Sequence, residues 1–242
     1  MSSISFIHLA SAGKKVSSSH IVKQIRSLYP DAYYLLASDG ADDLESIAKG
    51  NNTDYKYYTE KLGYPGYDGQ KLVTWLQRFR EACLQANTSH IMMVEDDVWV
   101  KKQLTVHDDW EMACHYQGHG NIMHNGLMDM VERFSGKRSN TNQYGGGGGS
   151  IYKVSTFLDN FETVSNWFLN NTDYVRSFYP ELGFMDCYMP IYYMLCGKDY
   201  TINPYMVDTH NHKDNGFDWD GFVESTSKEI EIVNNYKKYY WV

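Results

Sequence analysis

Residues 91–100 read IMMVEDDVWV, and this stretch constrains the chain more than any other. The apolar run at 91–94 predicts a buried strand. It ends in consecutive acids, Glu95, Asp96 and Asp97, before Val98, Trp99 and Val100 resume the apolar pattern. Carboxylates crowded at the tip of a buried strand repel one another and lose hydration, so they need donors or a cation beside them. A divalent metal is a hard cation that prefers oxygen ligands. In open α/β sheets, ligands gather at the carboxyl ends of strands. The stretch therefore reads as a metal-dependent site, with a solvated acidic turn between two strands as the plainer alternative.

The chain has 242 residues, 43% of them hydrophobic, enough for the core of one large α/β domain, with two small domains still possible. No apolar run approaches the roughly 18 residues of a transmembrane helix. The N-terminal MSSISFIHLASAGKK has no basic flank, and its apolar run is too short for a signal peptide, so a cytoplasmic protein is expected. The net charge is −8, and basic residues cluster only as pairs such as Lys14-Lys15 and Lys237-Lys238. That balance argues against nucleic acid and favours a small ligand whose charge a metal handles. Cys83, Cys114, Cys187 and Cys196 form no CxxC pair and read as buried small apolar residues.

Along the chain, residues 4–10 predict a first strand, followed by a small-residue loop, Ser11 to Lys15, that lacks P-loop spacing. Ser17, Ser18 and Ser19 are expected to cap a helix over 20–28. A second strand over 32–37 ends at Ser38-Asp39-Gly40. Asp39 is placed either to accept hydrogen bonds from a ribose or base, or to shape a turn and cap a helix. Residues 70–86 predict an amphipathic helix; Lys71 and Arg78 lie off its apolar face, either reaching a diphosphate or facing solvent. No strong pattern marks 101–124. Residues 145–149 are consecutive glycines, which lose much entropy on ordering. They form either a flexible linker to a second domain or a loop or bulged strand where the backbone must approach a ligand closely, and the lack of complete βαβ units beyond them favours the second. A strand over 151–154 and a helix from Ser155 to about residue 169 follow. A helix with Pro190 in its first turns runs to about 195, and Asp186 at its start is a cap, a carboxylate aimed into a cleft, or both. After a strand within 200–207 comes Asp208-Thr209-His210-Asn211-His212, plausible metal-ligand chemistry. The tail, 217–242, is expected to add one helix.

Glu95-Asp96-Asp97, the glycine run, Asp186 and His210, in that order, resemble the pattern of the GT-A-fold glycosyltransferases over residues 4–212. The acids are similar to that family's DxD motif, and small viral and bacterial members without a membrane anchor are of comparable size. The resemblance implies an α/β fold: a single GT-A-like, Rossmann-like domain with a mixed central sheet flanked by helices. Residues 1–100 would form the nucleotide-binding half, and 101–242 the acceptor-binding half and tail. It implies Mn2+ or Mg2+ as cofactor, a nucleotide-sugar donor, and a glycan or glycoprotein acceptor. Asp97 would coordinate the metal, Asp96 would contact ribose or metal, and Glu95 would support the loop from the first acid position. His210 would complete the metal site, with His212 as backup. Asp39 would read the nucleotide, and the backbone at Ala10 and Ser11 would meet its base, with Lys71 and Arg78 towards the diphosphate. Gly146, Gly147 and Gly148 would border the sugars. Asp186 would serve as catalytic base, with Glu181 as its rival. Residues 118–142 match no part of the pattern, which leaves the acceptor open. A sugar-phosphate nucleotidyltransferase and a non-catalytic carbohydrate-binding module are the alternatives.

Overall fold

In the computed structural model, residues 4–40, 42–62, 68–96, 98–100, 103–115, 123–139, 141–142, 148–178, 185–203 and 230–232 are described. The first half alternates strand and helix: β1 (Ser5–Ala10), α1 (Lys15–Leu28), β2 (Tyr34–Asp39), α2 (Glu45–Gly50), β3 (Asp54–Tyr58), α3 (Gly69–Gln85) and β4 (His90–Val94). The second half adds β5 (Val98–Val100), β6 (Met112–His115), α4 (Asn125–Ser135), β7 (Ile151–Lys153), α5 (Val154–Phe178), α6 (Met185–Leu195), β8 (Thr201–Asn203) and β9 (Ile230–Ile232).

The main sheet has the order β3-β2-β1-β4-β7-β6-β8. β1 pairs in parallel with β2 and with β4, and β2 with β3. β7 runs against both β4 and β6, and β8 is parallel to β6. The sheet is therefore mixed, as expected, with β7 alone reversed. Because strands alternate their side chains, each face has its own core. Ile7, Leu35, Ile91 and Met93 face α3, α4, α5 and α6. Phe6, Tyr34, Leu36, Met92 and Val94 face α1, α2 and the β5 strand. Helices thus cover both faces, the arrangement a largely parallel sheet requires.

The elements differ from expectation in informative places. α1 starts at Lys15, just past a turn in which Gly13 has φ +74°, so Ser17 and Ser18 lie inside the helix instead of capping it. Both are buried, and the Ser17 hydroxyl donates to the Lys14 carbonyl oxygen at 3.0 Å. α5 continues well past residue 169, and within it the Asn170 and Asn171 amides donate back one turn to the Asn166 and Trp167 carbonyls, each at 2.7 Å. β6 lies in the stretch that showed no pattern, being only 4 residues long. In the tail, residues 230–232 form a strand antiparallel to β5.

Candidate functional site

The chain winds outwards from β1 to β2 to β3, then crosses back to lay β4 on the other side of β1. At such a reversal the connections leave in opposite directions, and a crevice opens beyond the carboxyl ends of the two strands. Ser11 follows β1 there, and Glu95 and Asp96 follow β4. The β1–β4 ladder ends at the pair His8 and Val94, so β1 and β4 are not paired to each other beyond it, while Leu9 and Ala10 stay paired with β2. β8 runs in the same direction as β4, so its last residue, Asn203, lies on the same edge of the sheet.

The approach to β7 passes close beside the end of β4. The Gly149 N–H donates to the Met93 carbonyl at 2.7 Å, and the Met93 N–H donates to the Ser150 carbonyl at 2.9 Å. Gly149 has φ +81°, a left-handed conformation that glycine adopts without strain. A Cβ on Gly148 would stand 2.8 Å from Val98 Cγ2 and 3.0 Å from Glu95 Oε2. The backbone at Gly148 thus backs directly onto the half-buried Glu95 carboxylate. The close approach seen at the last residues of the run, Gly148 and Gly149, is to the protein's own acidic turn and the end of β4. Gly146 and Gly147 lie outside the described residues.

Asp96 faces inwards. Its Oδ2 accepts the Ser11 N–H at 2.9 Å; its Oδ1 accepts the Ser18 hydroxyl at 3.1 Å and lies 3.3 Å from His8 Nε2. His8 Nδ1 lies 3.0 Å from the Tyr34 hydroxyl. Burial holds the Tyr34 hydroxyl well above its ordinary pKa; Arg26 opposes that shift and Asp96 adds to it, so the hydroxyl stays protonated. Sequence reasoning did not place His8, Ser18 or Tyr34 at the site, and read Ser18 only as a helix cap. The available signal was His8 itself, a polar residue within the apolar run Phe6-Ile7-His8-Leu9.

At the tip of β2, Asp39 Oδ1 accepts Arg78 Nη1 at 2.6 Å and the Leu62 N–H at 2.8 Å. Arg78 also donates from Nη2 to the Glu60 carbonyl at 2.7 Å, and its guanidinium lies 4.1 Å from the Tyr58 ring centroid. Arg78 therefore lies beneath the segment after β3, with its side chain only 7% exposed. Lys71 is exposed in the first turn of α3, where Asp68 caps the helix by accepting the Gln70 and Lys71 N–H groups. Ala10 is buried and Ser11 exposed. Asp42 Oδ2 accepts the Gly13 N–H at 2.9 Å and so ties the β1–α1 loop from the β2 side.

Asp97, Glu181, His210 and His212 lie outside the described residues; for Asp186 the position in the first turn of α6 is described, but not the side chain. Among the described residues, no three potential ligands gather closely enough to hold a metal. Beside Gly148, Glu95 brings one carboxylate donor of the type a hard cation prefers. Asp96 is the poorer donor, since both its oxygens already accept hydrogen bonds from the protein.

No model of a known protein family matches the chain, and no curated protein sequence matches it. Solved structures do. The galactosyltransferase LgtC, in complex with donor and acceptor sugar analogs, superposes with a TM-score of 0.56 at 12% identity, over 96% of this chain and 88% of that one. The chain has a GT-A glycosyltransferase fold. An active-site mutant of LgtC matches over the same shares with a TM-score of 0.55 at 12% identity. The bifunctional glycosyltransferase WbbM, in its apo form, gives 0.47 at 10% identity, over 98% of this chain and 46% of that one. In this GT-A fold the acidic turn stands at the β1–β4 reversal. Among the described residues, no helix is long and apolar enough to cross a membrane.

Proposed function

We propose that the chain is a metal-dependent glycosyltransferase, moving a sugar from a nucleotide-diphosphate donor to a hydroxyl of a glycan or glycoconjugate with inversion at the anomeric carbon. The supporting observation is the acidic turn at the strand reversal of a GT-A sheet, with the Gly148 backbone against Glu95. LgtC, which shares the fold, was crystallised with donor and acceptor sugar analogs.

In this reading Glu95, Asp97 and His210 hold a manganese or magnesium ion, with His212 as the second candidate imidazole. Carboxylate oxygen with imidazole nitrogen suits a divalent ion of this kind. His210 belongs to a stretch that leaves β8 at Asn203 on the acidic edge and returns at Ile230–Ile232 to pair with β5, directly after the acidic turn. When bound, the ion neutralises charge that grows on the departing diphosphate.

The remaining steps belong to the chain's own residues. The Ala10–Ser11 backbone borders the nucleotide, and Asp39 bears on it through the loop it anchors. Lys71, exposed at the start of α3, is a cation available to a phosphate. Asp186 takes the acceptor hydroxyl's proton as that oxygen attacks the anomeric carbon. The new C–O bond forms on one face while the bond to the diphosphate oxygen breaks on the other, which inverts the centre. The start of α6 favours the ionised carboxylate the base needs. Glu181 is the rival base.

Calorimetric titration with UDP and with GDP, each with and without manganese, tests the reading. At least one diphosphate binds more tightly with the metal, and Asp97→Ala abolishes the difference; if neither does so in the wild type, the reading fails. Asp186→Asn keeps donor binding and loses transfer by about 10²–10⁴-fold, the usual worth of a general base. Unchanged transfer would move that role to Glu181.

A further inference from the structure

We infer that Asp96, unlike its two acidic neighbours, is a positioning residue: it locks the acidic turn to the β1–α1 loop across the strand reversal, so that the two sides of the crevice form one preset unit. The idea deepens the glycosyltransferase reading and rests on it for its ligand measurement.

The lock begins where the sheet stops holding. The β1–β4 ladder ends at His8 and Val94, and past that pair no backbone pairing joins the two strands. Asp96 bridges the gap by accepting the Ser11 N–H at 2.9 Å. Its other oxygen takes the Ser18 hydroxyl from α1 and faces His8 Nε2 from β1. Donors therefore converge on one carboxylate from the strand, the loop and the helix of a single β-α unit. The hydrogen bonds have one consistent direction. A carboxylate only accepts, which puts a ring proton on His8 Nε2 towards Asp96, and with the ring neutral Nδ1 then accepts the Tyr34 hydroxyl.

Burial separates this carboxylate from a ligand's reach. His8 and Ser18 are 0% exposed, Tyr34 1% and Asp96 8%. A buried carboxylate with its donors in place has no cause to turn outwards, since each donor left behind would be stranded without an acceptor. Asp42 secures the same loop from the other side through the Gly13 N–H. The loop is thus held between two carboxylates, of which Asp96 links it to the turn that carries Glu95.

A ligand and a lock respond differently to asparagine. A metal ligand needs the charge. A lock needs the hydrogen bonds, and an amide can supply them: its oxygen accepts the Ser11 N–H, while its NH2 donates to Ser18 Oγ and to His8 Nε2 once the ring proton moves to Nδ1.

The test compares Asp96→Ala, Asp96→Asn and Asp97→Ala in the full-length protein by two measurements. One is hydrogen exchange of the Ser11 amide without ligand; the other is affinity for UDP and GDP with manganese. Asp96→Ala speeds Ser11 exchange and weakens diphosphate binding, each by about tenfold, the effect of one well-placed buried hydrogen bond. Asp96→Asn restores most of both, whereas Asp97→Ala loses binding and leaves Ser11 exchange unchanged. If Asp96→Asn loses binding as fully as Asp97→Ala does, Asp96 is a ligand and the inference is overturned. Unaltered Ser11 exchange in Asp96→Ala also overturns it. Should that variant not fold, Ser18→Ala removes a single donor and speeds Ser11 exchange less, in the same direction; no change there counts against the lock. If the wild type binds neither diphosphate, the glycosyltransferase reading falls, and Ser11 exchange still decides whether the lock exists.

Discussion

Replacing Gly148 with alanine adds one methyl group at the tightest point of the candidate site. The new carbon would stand 2.8 Å from Val98 Cγ2 and 3.0 Å from Glu95 Oε2. Val98 is fully buried and β-branched, so it has little freedom to turn away. Glu95 is half-buried and long, and it is the side chain that yields. Forcing a methyl group into packed surroundings costs about 1–3 kcal/mol. Alanine also narrows the unfolded ensemble, which returns about 0.4–1 kcal/mol. The net expectation is a loss of up to about 2.6 kcal/mol. Gly50 supplies the reference: it closes α2, and a Cβ there would meet nothing within 4 Å. Gly50→Ala should gain about 0.4–1 kcal/mol, since it has the entropic benefit without the clash. Urea unfolding of both variants, compared at equal m-value, reads the difference directly. Because the strain displaces Glu95, Gly148→Ala should also weaken manganese-dependent diphosphate binding, while Gly50→Ala leaves it alone. A Gly148→Ala protein as stable as Gly50→Ala, with wild-type binding, would refute the close approach between Gly148 and Glu95.

Arg78→Met removes the cation from Asp39, which keeps the Leu62 N–H and is 21% exposed, so the loss should be about 2–3 kcal/mol, below the full cost of breaking a buried pair. A urea midpoint within error of the wild type would show that the pair contributes nothing. Glu111 offers a pH test. Burial pushes its carboxyl upwards, but the Thr156 hydroxyl, Lys198 and Lys153 outweigh burial and hold it below its ordinary value. Since the folded pKa lies below the unfolded one, this contribution is full above the unfolded pKa and fades as pH falls through the folded one. Thr156→Val should therefore destabilise the protein at neutral pH, with the gap closing in acid. Urea midpoints taken at both pH values check it, and a gap that widens in acid would contradict the assignment.

Much of the fold was legible because it depends on local chemistry. The apolar stretch before Glu95 had to be a buried strand. The repeat of Leu72, Leu76, Phe79 and Cys83 made α3 evident, and Asp68 then caps it through backbone donors that any helix start leaves unpaired. The short strands were not legible: β6 and β9 are too brief to carry a period, and each exists because a partner strand supplies its hydrogen bonds. Within the site, the acids and the glycine run could be picked out one by one, since consecutive carboxylates and consecutive glycines are costly anywhere unless something compensates them.

What the sequence determined by itself is therefore the set of parts: an acid-tipped strand, a glycine stretch, and alternating strands and helices enough for one mixed sheet. Which way each acid faces was decided only by tertiary structure. Asp96 turns inwards because Ser11, Ser18 and His8, some 80 residues earlier in the chain, bring three donors to it, while Glu95 meets the bare backbone of Gly148. Side chains adjacent in sequence differ in role when long-range contacts bring them different surroundings, and no local pattern records those contacts.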